Sequence, residues 1–248
     1  DWAELDSKRY REKKSCVDQG DFDRAHDRIV LGVERKGLVI SERDKRILAF
    51  HEGGHAIVAR LLPNSDPVHK ITIIPRGRAL GQTQQLPMND RQAYSRPYLK
   101  NRITTLMGGR AAEELVFGLQ TTGAQSDIMQ ATVLATNMVC KWGMSEVLGP
   151  QVYIVDDDDF LGSSSNRVAM GAWTEAQIDK EIGKLLDECY KEALKTLSGE
   201  RLFLSVLADI LMQVETIDGE EFEIIHACSQ QKKHEFGMED TPDSCTVA

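Results

Sequence analysis

The histidines His51 and His55, with Glu52 between them, have the residue types and the spacing of a metal-dependent hydrolytic site. Residues four apart on an α-helix lie on the same face, one turn apart, so both imidazoles can reach one ion. Zinc binds imidazole nitrogens at about 2.0–2.1 Å, and Glu52, one position round the helix, can address a water on that ion. The H-E-x-x-H pattern therefore predicts metal-assisted hydrolysis with Glu52 as general base.

The residues around this motif predict a helix that another part of the chain approaches closely. Ser41, with Asp44 three residues later, is typical of a capping box, so we expect a helix from about Glu42 to Leu62. Inside it, Gly53 and Gly54 each cost roughly 1 kcal/mol relative to alanine. We interpret this cost as evidence that another part of the chain packs closely against the helix backbone at these glycines. The alternative is a partly buried helix whose histidines only form hydrogen bonds.

A catalytic zinc site needs a third protein ligand besides His51 and His55. None of the other histidines has a helical partner or a spacing that ties it to this pair. Asp127 is the best carboxylate candidate, because it opens a predicted helix, where the helix dipole favours a negative charge by about 0.3–1 kcal/mol. Helix-start aspartates are often simple caps, and Glu113 and Glu114 are alternatives. The residues alone leave the third ligand open.

Composition and charge are those of an ordinary soluble globular chain, and 248 residues can bury a substantial core in one or two domains. The net charge of −9 argues against nucleic-acid binding, because nucleic-acid-binding proteins carry basic surfaces. No apolar run reaches the roughly eighteen residues of a membrane span. The five cysteines lack C-x-x-C spacing, so we expect reduced thiols and no cysteine-ligated zinc.

Hydrophobic periodicity predicts a mainly helical domain with a small β-hairpin or sheet beside the motif helix. The hairpin would pair Lys70–Ile74 with Ala79–Leu86, whose glutamines indicate a sheet edge. Such an edge could bind an extended peptide as an added strand, although a plain hairpin that covers the core is the simpler interpretation. Other predicted elements are helices over Asp21–Gly32, Arg96–Phe117, Asp127–Trp142 (capped by Ser126), Thr174–Leu197 (with a Thr174–Gln177 capping box), Glu200–Val214 and Gly219–Cys228, and a strand over Gln151–Asp159.

Several stretches together resemble the peptidase domain of the FtsH family of membrane-bound, ATP-dependent zinc metalloproteases. They are Phe50–Val58 (FHEGGHAIV), Pro67–Gly81 (PVHKITIIPRGRALG), Met107–Gly118 (MGGRAAEELVFG), Thr121–Ala131 (TTGAQSDIMQA), Met138–Gly149 (MVCKWGMSEVLG) and Val214–Asp218 (VETID). The resemblance covers roughly Asp21 to Glu223 in order. One departure is Gly53, where the family usually has alanine or serine; H-E-x-x-H itself is intact.

This resemblance implies that His51, His55 and Asp127 are zinc ligands and that Glu52 is the catalytic base, with Glu114 as the second choice of ligand. It implies a helical zinc peptidase domain in which a strand of the small sheet aligns the substrate. The partners it implies are unfolded or membrane-extracted polypeptides and like subunits in a homo- or hetero-hexameric ring. Nucleic acid is not among them. The full-length function would be membrane protein quality control.

The ATPase and membrane parts of that family have no counterpart in these residues. There is no G-x-x-x-x-G-K-[ST] loop, so we expect ATP to act only through an ATPase module elsewhere in a longer protein. The expected boundaries are a charged lead-in at 1–20, the zinc peptidase domain at 21–229 and a disordered tail at 230–248. The fragment would be soluble, whereas the full-length protein would belong to a bacterial inner, mitochondrial inner or thylakoid membrane.

Two other functions remain as alternatives. A non-catalytic assembly or binding domain could keep the fold without the chemistry, but the intact His51, Glu52 and His55 argue against it. An independent soluble zinc endopeptidase of another clan is disfavoured, because no H-x-x-G-x-x-H extension follows His55 and no secretory signal is visible.

Overall fold

The computed structural model describes residues 18, 21–22, 25, 28–29, 32, 40–75, 80–86, 93–156, 165–167 and 170–236, with side chains described except at 155–156, 165–167 and 232–236. The helices described over their whole length are α1 (Glu42–Leu61), α2 (Arg96–Phe117), α3 (Gln125–Cys140), α4 (Ala172–Ser198), α5 (Arg201–Val214) and α6 (Gly219–Phe236). The strands are β1 (Val68–Thr72), β2 (Gln82–Gln85), β3 (Ile154–Asp156), β4 (Ser165–Arg167) and β5 (Thr216–Asp218). The prediction of a mainly helical domain with a small sheet is confirmed.

The helix α1, which carries the motif, begins where the sequence predicts. The hydroxyl of Ser41 accepts a hydrogen bond from the backbone N–H of Asp44 at 3.1 Å and donates one to its carboxylate at 2.7 Å. This side-chain cap satisfies a backbone donor that the first turn of a helix leaves unpaired. From Ala49 to Ala59 every residue is buried, so α1 is the central helix of the domain.

The close neighbour that the glycine pair predicts is α2. A Cβ atom built on Gly54 would overlap the carbonyl oxygen of Gly108 and lie 2.6 Å from Cβ of Ala112. The two helix backbones therefore touch at Gly54 and Gly108, and only glycine permits this approach. A Cβ on Gly53 would instead lie 3.3 Å from Leu204 of α5, which is a tight but adjustable contact.

Four of the described helices form much of the core around this crossing. The helix α1 packs between α2 and α5, and α4 covers α2 on its other side. Because the buried faces of these helices meet in one cluster, the crossing of α1 and α2 is held on several sides. The largest fully buried side chains include Ile57, Ile103, Leu197, Phe203, Leu207 and Phe222.

The predicted hairpin is present and is part of a larger sheet. The strands β2, β1 and β5 lie in that order and are antiparallel, with Ile71 of β1 opposite Thr83 of β2 and Ile217 of β5. The prediction that β2 lies at an edge of this sheet is confirmed. The sequence did not predict β5, because it is three residues long and directly follows α5 through Glu215 in the left-handed conformation (φ 61°). The strands β3 and β4 form a separate antiparallel pair.

Two predicted helix starts are wrong. The helix α3 begins at Gln125, after a 3-10 turn over Thr122–Ala124, so Ser126 lies inside its first turn and does not cap it. The helix α4 begins at Ala172, and its cap residue is Gly171, which has extended backbone and no capping side chain. Thr174 already lies within the helix, so the predicted capping box with Gln177 does not form.

The last helix is longer than predicted, and the first predicted helix is only partly described. The helix α6 continues to Phe236, so the expected start of the tail at 230 falls inside it. The predicted helix over Asp21–Gly32 lies mostly outside the described residues, although 21, 22, 25, 28 and 29 are helical. In the described ranges, no helix combines the length and the apolar character needed to cross a membrane.

Candidate metal centre

Three side-chain atoms from α1 and α3 converge in the interior. Nε2 of His51 lies 3.1 Å from Nε2 of His55 and 3.2 Å from Oδ2 of Asp127. Nε2 of His55 lies 3.5 Å from the same carboxylate oxygen. We call these three atoms the donor triangle. Both histidines are buried, and Asp127 enters from the first turn of α3.

The donor triangle has the dimensions that a small tetrahedral cation requires. With zinc–ligand bonds of about 2.0–2.2 Å, the edges of an ideal tetrahedron are about 3.3–3.6 Å. The observed edges of 3.1, 3.2 and 3.5 Å come close to that range. Two imidazole nitrogens and one carboxylate oxygen are also a ligand set that zinc accepts while keeping a fourth position open. The residues present therefore fit a zinc ion.

The opposite ring nitrogens of both histidines are held by other residues. Nδ1 of His51 lies 2.7 Å from Oε1 of Glu113, and Nδ1 of His55 lies 2.7 Å from the carbonyl oxygen of Thr105. Because both partners are acceptors, each Nδ1 carries the proton and donates it. Each Nε2 can then offer its lone pair to the donor triangle, as in metal sites whose histidines are oriented by carboxylates and carbonyls.

The pKa values of His51 and Asp127 in the donor triangle are strongly shifted. Burial opposes the charged imidazolium of His51, but hydrogen bonds to Asp127 and Glu113 outweigh it and raise the pKa of His51 to about 10. Burial also disfavours the Asp127 carboxylate, yet contact with both histidines holds its pKa well below its ordinary value. Both directions arise because positive charge beside these carboxylates is favoured, and a proton or a metal ion can supply that charge.

Glu113 is almost fully buried, at 1% exposure, and is kept ionised by its partners. Burial would raise its pKa, but hydrogen bonds from His51 and from Thr121 lower it below the ordinary glutamate value. The backbone N–H of Thr121 donates at 2.9 Å and its hydroxyl at 3.1 Å. The loop before α3 therefore fixes Glu113, and Glu113 in turn fixes the ring of His51.

Glu52 faces the cleft beside the donor triangle. Its carboxylate oxygen Oε2 accepts a hydrogen bond of 2.8 Å from the hydroxyl of Thr83 on β2. Burial raises the pKa of Glu52, although the two histidines and Thr83 oppose this. A carboxylate with a raised pKa beside the donor triangle is suited to accept a proton from water and to release it again.

Gly109 of α2 makes room for the two imidazoles. A Cβ atom at this position would lie 2.5 Å from Nε2 of His51 and 2.6 Å from Nε2 of His55. Contacts under 3 Å force something to move, and here the atoms that would move belong to the donor triangle. Glycine at 109 is therefore required by the site.

The donor triangle opens into a cleft of about 1050 Å³. Part of its lining is residues 80–86, which include β2, and another part is residues 121–123 and 125–127. Leu80, Leu86 and Leu106 give it apolar surface, while Asp66 and Arg102 contribute charge. A cleft of this size can accept several residues of a peptide.

The structure brings together the residues that the sequence analysis selected, His51, Glu52, His55 and Asp127. It places Glu114 elsewhere: its carboxylate accepts hydrogen bonds from Tyr190 at 2.5 Å and from Gln120 at 2.9 Å. Its neighbour Glu113 is the glutamate that contacts the motif.

Sequence reasoning missed how α2 supports the site. Thr105, Gly109 and Glu113 contact the two histidines, and they occur at intervals of four. That spacing, which places all three on one face of a helix, was the available signal.

Comparison with known proteins agrees with this geometry. The model of peptidase family M41 matches residues 38–225. The chain is 50% identical over 216 residues to "ATP-dependent zinc metalloprotease FtsH" of Thermobaculum terrenum, covering 85% of this chain and 33% of that protein. It is 48% identical over 219 residues to FtsH 4 of Sorangium cellulosum (87% and 34%) and 42% identical over 237 residues to FtsH of Photobacterium profundum (94% and 34%).

The chain spans about a third of the length of these curated relatives. The family match covers most of the described residues, including residues 80–86, 121–123 and 125–127 of the cleft and every residue of the donor triangle. The chain therefore belongs to peptidase family M41.

Proposed function

We propose that this chain is a zinc-dependent endopeptidase domain in which His51, His55 and Asp127 hold the metal and Glu52 is the general base. The observation that supports this most strongly is the donor triangle, with both Nδ1 atoms hydrogen-bonded on the far side of their rings. A purely structural histidine pair would have no need for two convergent Nε2 atoms facing a buried carboxylate. The zinc metalloprotease names of the relatives support the same activity.

Different residues of the chain have different roles in the proposed hydrolysis. A zinc ion in the donor triangle would supply Lewis acidity, which polarises a scissile carbonyl and lowers the pKa of water to about 7. Glu52 takes a proton from the attacking water and passes it to the leaving amine, so it ends the reaction as it began. Glu113 and Thr105 keep the two imidazoles in the tautomer whose Nε2 lone pair faces the donor triangle.

The edge strand β2 aligns the substrate in this proposal. It lies at the edge of the sheet that the structure describes, lines the cleft and contacts Glu52. A peptide that pairs with this edge as an added strand would place its backbone along the cleft. Main-chain pairing is independent of side-chain identity, which suits a protease that accepts many unfolded sequences.

For the full-length protein we propose ATP-driven degradation of unfolded or membrane-extracted polypeptides. The relatives are named ATP-dependent, and this chain matches about a third of each. An ATPase module outside these residues would feed the cleft. Like subunits would form a homo- or hetero-hexameric ring, and the protein would act in membrane protein quality control in a bacterial inner, mitochondrial inner or thylakoid membrane.

Metal analysis and peptide cleavage test the proposed activity together. We expect about one zinc per chain in the parent and in Glu52→Gln, and less in Asp127→Asn. Cleavage of an unstructured fluorogenic peptide should be lost in both variants, and a chelator should abolish it in the parent until zinc is restored. Asp209→Asn is the matched control, because Asp209 is exposed on α5. Full cleavage by Glu52→Gln, or full zinc content in Asp127→Asn, would contradict the assignment.

A further inference from the structure

Among the described residues, the hydroxyl of Thr83 is the hydrogen-bond partner of the Glu52 side chain. Oγ1 of Thr83 lies 2.8 Å from Oε2 of Glu52 and 3.0 Å from the backbone carbonyl oxygen of the same residue. Both neighbours are acceptors, so the hydroxyl donates to Glu52 in either case. A hydrogen bond to an ionised carboxylate is stronger than one between neutral groups.

Gly81 contacts the other oxygen of the same carboxylate. A Cβ atom at Gly81 would lie 2.8 Å from Oε1 of Glu52 and 3.0 Å from Cδ1 of Leu48. Alternate residues of an extended chain lie on one face, so Gly81 and Thr83 approach Glu52 from the same side of the β2 segment. Gly81 leaves the space that Oε1 occupies, and Thr83 holds Oε2.

We propose that Thr83 is a positioning residue, which fixes the rotation of the Glu52 carboxylate so that Oε1 is the oxygen that receives a proton. This inference rests on the proposed function, in which Glu52 is the general base. Among the described residues, no hydrogen bond is made to Oε1, whereas Oε2 is engaged by Thr83. The carboxylate is buried, and the bond from Thr83 is its one described side-chain hydrogen bond, so losing that bond removes the polar contact that sets its rotation.

The position of Thr83 links this restraint to substrate binding. Thr83 is opposite Ile71 in the register of β1 and β2, so the sheet fixes the position of Thr83 in the cleft. The other edge of β2 is the one that an extended peptide would pair with. A peptide docked there would hold the strand in place, and through Thr83 it would also hold the base.

Kinetics of hydroxyl-deleting and hydroxyl-keeping variants test this role. For Thr83→Val we expect kcat to fall about tenfold with KM changed less than about twofold, because the lost hydrogen bond orients a proton acceptor and does not bind substrate. Thr83→Ser keeps the hydroxyl, so it should recover most of the parent kcat. Zinc content should be unchanged in both variants.

Thr72→Val is the matched control. Thr72 is on β1 of the same sheet, and its hydroxyl bonds to Thr216 at 2.8 Å and not to Glu52. Its removal should lower stability while leaving kcat at the parent value. If Thr72→Val lowers kcat as much as Thr83→Val, the effect is a general weakening of the sheet, and the proposal is wrong.

A readout independent of activity comes from a double-mutant cycle between Thr83→Val and Glu52→Ala. Urea unfolding of the chelator-treated proteins should give non-additive changes in stability, because each single change removes the same hydrogen bond. Additive changes, an unchanged kcat in Thr83→Val, or equal losses in the valine and serine variants would each overturn the proposal. If the parent neither binds zinc nor cleaves peptide, the proposed function fails, and the cycle alone decides whether Thr83 holds Glu52.

Discussion

Nδ1 of His51 donates a hydrogen bond of 2.7 Å to the buried carboxylate of Glu113, on the side of the ring that faces away from Asp127. The contact joins the motif helix α1 to α2. It fixes the ring of His51 and, in the proposed site, would raise the basicity of Nε2 and balance part of the charge of a bound cation. Glu113 would therefore support the proposed metal site without contributing an atom to the donor triangle.

Glu113→Gln should weaken zinc binding by about tenfold or more, because the neutral amide no longer polarises the ring of His51. Competition with a chelator of known affinity measures the effect. Glu114→Gln is the matched control, since this adjacent glutamate bonds to Tyr190 and Gln120. Equal zinc affinities of the two variants would show that the contact between Glu113 and His51 does not tune the site, and a loss only in Glu114→Gln would restore Glu114 as a ligand.

Gly109→Ala should abolish zinc binding, since the added methyl group would collide with both Nε2 atoms. Gly183→Ala is the corresponding change on α4, where no atom lies within 4 Å of the new Cβ. The Gly183→Ala variant should bind zinc normally, and its free energy of unfolding should rise by up to about 1 kcal/mol. Zinc content by elemental analysis distinguishes the two variants, and normal zinc content in Gly109→Ala would show that the described packing of α2 against the imidazoles is wrong.

The adjacent glycines of the motif should respond in opposite directions. Gly54→Ala forces α1 and α2 apart and should cost roughly 1–3 kcal/mol in the free energy of unfolding. Gly53→Ala meets only the flexible side chains of Leu204 and Leu207, so the gain in helix propensity, up to about 1 kcal/mol, should remain. Urea denaturation measures both changes. Similar losses in both variants would mean that the helix crossing is not centred on Gly54.

The sequence predicts well those features that depend on local physics. The capping pair Ser41 and Asp44 identified the start of α1, because capping acts within one turn of a helix. The histidine pair follows from the helical repeat alone. Residue types and spacing therefore predicted two of the three members of the donor triangle.

The sequence was less informative about which residues from distant parts of the chain come into contact. Asp127 was chosen through family resemblance, because nothing in the local sequence shows which face of α3 meets α1. Glu113 and Glu114 are neighbours in sequence with the same chemistry, and only the packing of α2 decides which one is buried. Thr83 is a similar case, since its role depends on the position of β2 over α1.

Anomalous diffraction at the zinc edge, on crystals of the zinc-loaded chain, tests the proposed site most directly. We predict one peak in the cleft, about 2.0–2.2 Å from Nε2 of His51, Nε2 of His55 and a carboxylate oxygen of Asp127, with Glu113 outside bonding distance. A peak coordinated by Glu113 or Glu114 in place of Asp127, or a protein that binds zinc only away from His51 and His55, would contradict it.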